Sequence, residues 1–224
     1  MADDRPWMDD YAYESNATRN TDGSWHLAHI RDFLYEGRTI TKAQWTNIDV
    51  YPSAVESVSF FVASLPLGVF RNLSGHTYIS FHFKDDRDYV FSIEGRRRKG
   101  QPFSTINGML GAYQLIYLWG TLSDFTERNT TYEDVHLERY DLLLSKNELK
   151  QLCEAALEET KHAYNKKLPY HTIWSQCTNK LLEVFNKALI KKLPWSLAWH
   201  FPGLSPRLLA KHGLVDLSKK ETLR

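Results

Sequence analysis

The 224-residue sequence contains only two cysteines, Cys153 and Cys177, and no zinc-type spacing of cysteine and histidine. So few cysteines exclude a disulfide framework, and without a CxxC pattern we expect neither a metal nor another cofactor. The 28 basic and 27 acidic side chains nearly cancel. A chain with almost no net charge has no general attraction for polyanions, so we expect no nucleic-acid partner.

Long apolar runs are also missing. No stretch of 18 apolar residues occurs, and the acidic start MADDRPWMDD lacks the apolar core of a signal peptide. We therefore expect no transmembrane segment, signal peptide or anchor in this chain. Because repeats and linker-like segments are absent too, we expect a single domain over residues 1–224. Residues 1–23 are polar and rich in turn formers, so we expect them to be irregular.

Alternating apolar and polar residues predict strands in the first two thirds of the chain. The clearest run is HTYISFHF (76–83), and after a polar turn DYVFSIEGR (88–96) follows as its expected hairpin partner. Such a hairpin places Glu94 beside His76 on its polar face. Further runs complete a predicted sheet of five or six strands, at residues 24–35, 55–64, 114–120 and 133–142.

After residue 144 the pattern becomes helical. Ser145 and Glu148 form a capping-box signature before an amphipathic stretch, and Cys153 falls on its apolar stripe, as a small buried hydrophobe would. A second amphipathic helix is expected to begin near Ser175. The resulting fold class is α+β, with a mainly antiparallel sheet packed against a helix that carries Cys177 at its N-terminus.

The position of Cys177 suits a nucleophile. The unpaired N–H groups and the dipole at a helix N-terminus favour a thiolate over a thiol. Thiol catalysis also needs a base and a third polar group that orients the base, and His76 and Glu94 on the expected hairpin supply both. His171, six residues before the thiol, is a rival base without a visible orienting partner. Spacing alone leaves open that Cys177 and His76 only pack.

Five blocks of the sequence resemble, in order, the Lnb N-terminal periplasmic domain family. They are SGHTYISFHF, FSIEGRRRKG, NGMLGAYQLIYLWGTLSDFTERNTTY, LPYHTIWSQCTNKL and FPGLSPRLLAKHGLVD, with WHLAHIRDFLY and QWTNIDVYPSAVESVSFFV matching upstream. The resemblance covers nearly the whole chain. It implies a permuted papain-like fold and a thiol enzyme linked to lipoprotein N-acylation in the bacterial cell envelope.

The resemblance also implies partners, a location and residue roles. We expect a lipid or lipoprotein substrate, possible contact with a membrane surface, and a periplasmic or cell-envelope location. Carried over by position, Cys177 attacks an acyl ester, His76 is the base, and Glu94 orients or charges His76. Arg96 and Arg31 match recurrent arginines of the family. Two roles are open for them: holding a phosphate or carboxylate of the substrate, or forming buried structural ion pairs.

Two positions depart from the family pattern. The family usually shows Tyr-Asn before the cysteine and an Asn adjacent to it, whereas here Tyr170 is followed by His171 and Cys177 is preceded by Gln176. Gln176 can still donate to an oxyanion, on a longer arm. Tyr170 is the second expected binding residue of this block.

Three functions follow from these patterns. The first is acyl transfer from an ester donor to an amine acceptor through a thioester on Cys177. The second is a cysteine amidase or peptidase of cell-wall peptide, in which water replaces the amine. The third is a non-catalytic binding module with a drifted site, for which Gln176 and His171 are the motivating changes.

Overall fold

The computed structural model describes residues 4–64, 75–102, 104–171 and 176–223. A mixed nine-stranded sheet forms its centre, with five α-helices among the described residues. The strands are β1 (Asn16–Arg19), β2 (Trp25–Arg31), β3 (Leu34–Glu36), β4 (Thr39–Lys42), β5 (Trp45–Val50), β6 (Val55–Ser64), β7 (Gly75–Phe83), β8 (Asp88–Arg96), β9 (Gln114–Thr121), β10 (His136–Asp141) and β11 (Glu221–Leu223). The helices are α1 (Thr105–Met109), α2 (Leu122–Glu127), α3 (Lys146–Lys166), α4 (Cys177–Ala188) and α5 (Ser205–Lys211).

The strand order in the sheet is β1, β2, β9, β8, β7, β6, β10, β11, with β5 also paired to β2 and β3–β4 forming a separate hairpin. Described neighbours are antiparallel except β2 and β9, which meet in parallel where Arg31 lies opposite Gly120. The predicted α+β class is confirmed, but the predicted five or six strands are too few. The short strands β1, β5 and β11 were missed because neighbouring strands, and not their own periodicity, hold them in place. Residues 1–23 therefore include a strand.

The β7–β8 hairpin follows its predicted alternation. Tyr78 lies opposite Ser92 and Ile79 opposite Phe91, so odd and even residues point to opposite faces. The face with Ile79 and Phe91 belongs to the larger core cluster. The other face was expected to be polar, yet it is buried as well, because Tyr11 and Phe125 form a second core cluster with Tyr78.

Helices α3 and α4 cover the larger core face. The capping box of Ser145 and Glu148 is present at the start of α3. Phe185 of α4 packs against Phe60 of β6 with ring centroids 6.4 Å apart, a buried contact of the kind that contributes about 1.5–3 kcal/mol per side chain. The expected helix start, Ser175, lies outside the described residues.

The first turn of α4 lies at the end of the β7–β8 hairpin. The helix lies along the apolar face of the sheet, and the hydroxyls of Thr178 and Thr77 are 3.1 Å apart at the start of β7. The helix therefore packs along the apolar face and does not meet the polar face end-on. Its N-terminus nevertheless reaches the end of the hairpin, where His76 begins the other face.

Candidate active site

Cys177 and His76 meet where α4 and β7 both begin. Cys177 is the first residue of the helix, and His76 is the second residue of the strand. The thiol and the imidazole lie close enough for each to shift the pKa of the other. Cys177 is 7% exposed, whereas 28% of the His76 side chain is accessible. The pair is held by the fold and still reaches the surface through the imidazole.

The surroundings of Cys177 favour its ionised form. Burial by itself raises the pKa of a thiol, but the charge on His76 and the hydrogen bond from its ring outweigh burial. The backbone N–H of Thr77 and the hydroxyl of Thr178, 3.6 Å from Sγ, act in the same direction. Together they lower the pKa of Cys177 from 9.0 to about 7. Near neutral pH the nucleophilic thiolate is thus abundant.

Cys153 shows what burial does without a cation. It is fully buried in α3, and burial, together with the charge on Glu154, raises the pKa of its thiol far above the ordinary value. A thiol in this state stays protonated and unreactive. The two cysteines therefore differ in chemistry although both are buried, and the packing role expected for Cys153 is the one the structure gives it.

The same contacts shift the pKa of His76 in the opposite direction, upward. Burial disfavours its charge, but Cys177 and Glu94 raise the pKa of His76 above 6.5. A lowered thiol pKa and a raised imidazole pKa stabilise the same state, an ion pair of thiolate and imidazolium. This pair holds both the nucleophile and the proton that a thiol reaction needs.

Ser92 connects His76 to Glu94. Its Oγ lies 2.7 Å from Nε2 of His76 and donates to Oε1 of Glu94 at 2.9 Å, whereas Nε2 and the carboxylate are 3.8 Å apart. Because the Ser92 proton points to Glu94, the Ser92 oxygen accepts from Nε2–H, which leaves Nδ1 for the thiol. Glu94 therefore orients His76 through a hydroxyl. Sequence reasoning placed Ser92 on this face without assigning it a role; its position two residues before Glu94 was the available signal.

Glu94 is kept charged by a buried network. Tyr11 donates to its Oε2 at 2.6 Å, and Arg128 lies 3.4 Å away while pairing with Asp10 at 3.0 Å. Burial raises the pKa of Glu94, but the charges of Arg128 and His76 and the Tyr11 hydrogen bond lower it well below 4.5. No local pattern pointed to Tyr11, Asp10 or Arg128, because they come from distant segments of the chain.

The two arginines singled out in the sequence lie in structural pairs. Arg31 is 0% exposed, and its guanidinium makes hydrogen bonds of 2.8–3.0 Å to the carboxylate of Asp124. Arg96 pairs with Glu14 and donates to the backbone carbonyl of Tyr11 at 2.8 Å. These contacts fit the structural alternative and tie the N-terminal segment to the sheet.

The remaining expected residues are buried to different depths. Tyr170 is buried, with its ring against Gly95 and its pKa raised first by burial and then by the nearby Cys177. Gln176 caps α4, and its side-chain amide donates to the carbonyl of Trp199 at 3.3 Å. His171 is half-buried, at the end of a described segment. In the described part of the chain, no cluster of three or more His, Cys, Asp or Glu side chains is suited to hold a metal.

The fold and the site define an α+β protein with a paired, ionisable thiol and imidazole at one end of its sheet. The chain belongs to the Lnb N-terminal periplasmic domain family, whose model matches residues 41–202, more than two thirds of the sequence. Cys177, His76, Ser92, Glu94 and Arg128 lie within the matched region. The family resemblance is thus confirmed over residues 41–202.

The family name refers to the periplasm, in agreement with the expected location. None of the helices in the described segments is long and apolar enough to cross a bilayer. No curated protein and no solved structure matches the chain significantly.

Proposed function

We propose that this protein is a thiol-dependent acyltransferase of the bacterial cell envelope. In this proposal Cys177 accepts an acyl group from an ester donor and passes it to an amine. The supporting observation is the pairing of Cys177, at the start of α4, with His76, at the start of β7, which lowers the pKa of the thiol to about 7. A merely structural thiol at this depth has a raised pKa, as Cys153 does.

The ion pair supports both half-reactions. In the first, the Cys177 thiolate adds to the ester carbonyl, the carbon–oxygen bond breaks, and His76 gives its proton to the departing alcohol. In the second, an amine adds to the thioester, the carbon–sulfur bond breaks, and His76 takes the proton that the amine loses. Glu94, acting through Ser92, stabilises the imidazolium at the start and end of this cycle.

Family membership guides the substrate and the finer fold. We infer a lipid ester as donor, a lipoprotein amine as acceptor and a permuted papain-like arrangement, in which the histidine strand precedes the cysteine helix. The Gln176 amide donates one N–H to the carbonyl of Trp199, and its second N–H can serve as an oxyanion donor. The first-turn N–H groups of α4 are alternative donors at the same place. The charge of Cys177 acts on buried Tyr170, and we infer that this ring contacts a bound acyl group.

Intact mass spectrometry tests the thioester. The full chain is incubated with diacyl phospholipid dispersed in detergent, and we expect one acyl adduct that hydroxylamine removes. Cys177→Ala should form none, and Cys153→Ala is the matched control that should form it normally. An adduct that persists in Cys177→Ala, or no adduct with several diacyl donors, would contradict the proposal.

The acceptor of the acyl group distinguishes a transferase, which uses an amine, from a hydrolase, which uses water. If the proposal is correct, adding a peptide with a free N-terminal amine to the acylated protein yields N-acyl peptide. Release of free fatty acid alone, or cleavage of a cell-wall peptide without an acyl donor, would instead identify the hydrolase, which uses the same ion pair. A protein that forms no adduct and whose Cys177 also resists alkylation at neutral pH is the non-catalytic binding module.

A further inference from the structure

A short segment after α4 exposes large apolar side chains. In residues 190–201, here named the apolar segment, Ile190 is 78% exposed, Trp195 72%, Leu197 61% and Phe201 40%. Isolated exposed apolar residues are ordinary, but four within twelve residues form a patch that marks an interaction surface. The sequence WSLAWHF (195–201) favours a buried aromatic cluster over an acyl-site or membrane-surface role. That expectation is wrong for Trp195 and Phe201, and it holds for Trp199, which is 1% exposed.

Buried anchors hold this segment in place. Leu193 and Trp199 are buried, and the side chain of Asn186 pairs with both backbone groups of Leu193, at 2.7 and 3.0 Å. The indole N–H of Trp199 donates to the carbonyl of Pro194 at 3.3 Å. Because the backbone is tied to the core on both sides of Trp195, the exposed side chains are displayed by the fold.

The surrounding sequence is basic. The 32 residues from 184 to 215 contain five lysines and arginines and no acidic residue, although the whole chain is nearly neutral. Lys191 and Lys192, next to Ile190, are both exposed. Among the described residues neither of them forms an ion pair, whereas Lys187 pairs with Glu159. The patch therefore combines apolar side chains with uncompensated positive charge.

We propose that the apolar segment docks onto the surface of a bilayer that contains anionic lipids. Tryptophan beside lysine suits the headgroup region, where the indole inserts and the ammonium meets phosphate. A second copy of the chain fits less well, because a symmetric contact would bring the lysine pairs of both copies together. A bilayer supplies both the apolar layer and the complementary charge.

The segment is connected to the candidate active site. The carbonyl of Trp199 accepts from the side chain of Gln176, the residue before Cys177. Docking through Trp195 and Leu197 would hold the thiol close to the headgroup layer, where lipid esters lie. This last step rests on the proposed acyl transfer, while the docking itself does not.

Vesicle flotation tests the docking with the full chain. The vesicles are phosphatidylcholine with or without phosphatidylglycerol, and we expect binding only with the anionic lipid, weakening as salt rises. Trp195→Ser combined with Leu197→Ser should lower the partition constant roughly a hundredfold. Lys191→Gln with Lys192→Gln should lower it roughly 30-fold, from about 1 kcal/mol per lysine.

Two substitutions are matched controls. Leu34→Ser changes a leucine that is 47% exposed on the separate β3–β4 hairpin, and Lys219→Gln removes an exposed lysine elsewhere. Neither should change vesicle binding. The docking proposal is overturned if the unmodified chain does not float with anionic vesicles, or if Leu34→Ser weakens binding as much as the double variant. It is also overturned if the chain is a dimer that Trp195→Ser dissociates, since the segment is then a self-interface.

Failure here is distinguishable from failure of the proposed function. Cys177→Ala should bind vesicles like the unmodified protein, because the thiol does not contact the bilayer. Conversely, a protein that forms the Cys177 acyl adduct with detergent-dispersed donor but does not bind vesicles retains the thiol chemistry and loses only the docking proposal.

Discussion

Replacing His76 by alanine gives the sharpest test of the ion pair. The substitution removes the cation and the hydrogen bond that lower the pKa of Cys177 and leaves the burial that raises it. We therefore expect the pKa of the thiol to rise from about 7 to at least its ordinary value of 9.0. That change corresponds to about 2.7 kcal/mol less stabilisation of the thiolate relative to the thiol.

The change has two measurable parts. At pH 7 about half of Cys177 is ionised in the native protein and about 1% in the variant, roughly a 50-fold loss of thiolate. A more basic thiolate is intrinsically about eightfold more nucleophilic, if alkylation follows the dependence known for thiol exchange. The rate of Cys177 alkylation at pH 7 should then fall only about sixfold. The pH at which this rate is half-maximal should move by the full change in the pKa of the thiol.

The assay is iodoacetamide alkylation of the folded chain across pH 5 to 10, followed by intact mass. In the native protein the rate should rise as the pH increases through about 7, because deprotonation creates the nucleophile. Cys177→Ala shows whether Cys153 contributes, and this fully buried thiol should not react. His82→Ala is the matched control, because His82 lies on the same strand and pairs with Asp88 instead.

Two results would refute the reasoning. One is a native midpoint near pH 9, which would mean that His76 does not stabilise the thiolate. The other is an unchanged midpoint in His76→Ala, which would assign the lowered pKa to the helix N-terminus alone. A similar change in His82→Ala would show that the effect is a general disturbance of β7.

Two further variants examine the support of this pair. In Ser92→Ala the imidazolium loses its link to Glu94, so the pH midpoint of Cys177 alkylation should lie between those of the native protein and His76→Ala. Ser80→Ala is the control. It removes a buried hydroxyl without a described hydrogen-bond partner, and the midpoint should not change. Arg128→Met leaves two buried carboxylates without their cation and should lower the free energy of unfolding in urea by about 3–5 kcal/mol. Arg87→Met at a surface ion pair should cost less than about 1 kcal/mol, and equal losses in the two variants would contradict the role given to the buried network.

The sequence predicts those parts of the site that depend on local pattern. The alternation of residues 76–83 and 88–96 places His76 and Glu94 on one face of a hairpin, and the observed register puts Tyr78 opposite Ser92 in agreement. A turn this short fixes the register, so few alternatives exist. The capping box at Ser145 is likewise a signal carried by four consecutive residues.

Contacts between distant segments escape this kind of reasoning. Tyr11 reaches Glu94 across 83 positions, and Arg128 reaches Asp10 across 118, with no periodicity that links them. The same limit explains why the cover over the second face of the sheet was not predicted. Its alternating polar residues look solvent-exposed until the N-terminal segment is seen to cover them.

The sequence by itself thus determined the α+β class, the hairpin with His76 and Glu94, and a helix with Cys177 near its N-terminus, because strand alternation and helix capping depend on neighbours along the chain. Only the tertiary structure decided that α4 lies on the apolar face and that Ser92 joins His76 to Glu94. It also decided that Cys177 and not Cys153 carries a lowered pKa. Burial and charge at a thiol are sums over segments that folding brings together, so no local pattern contains them.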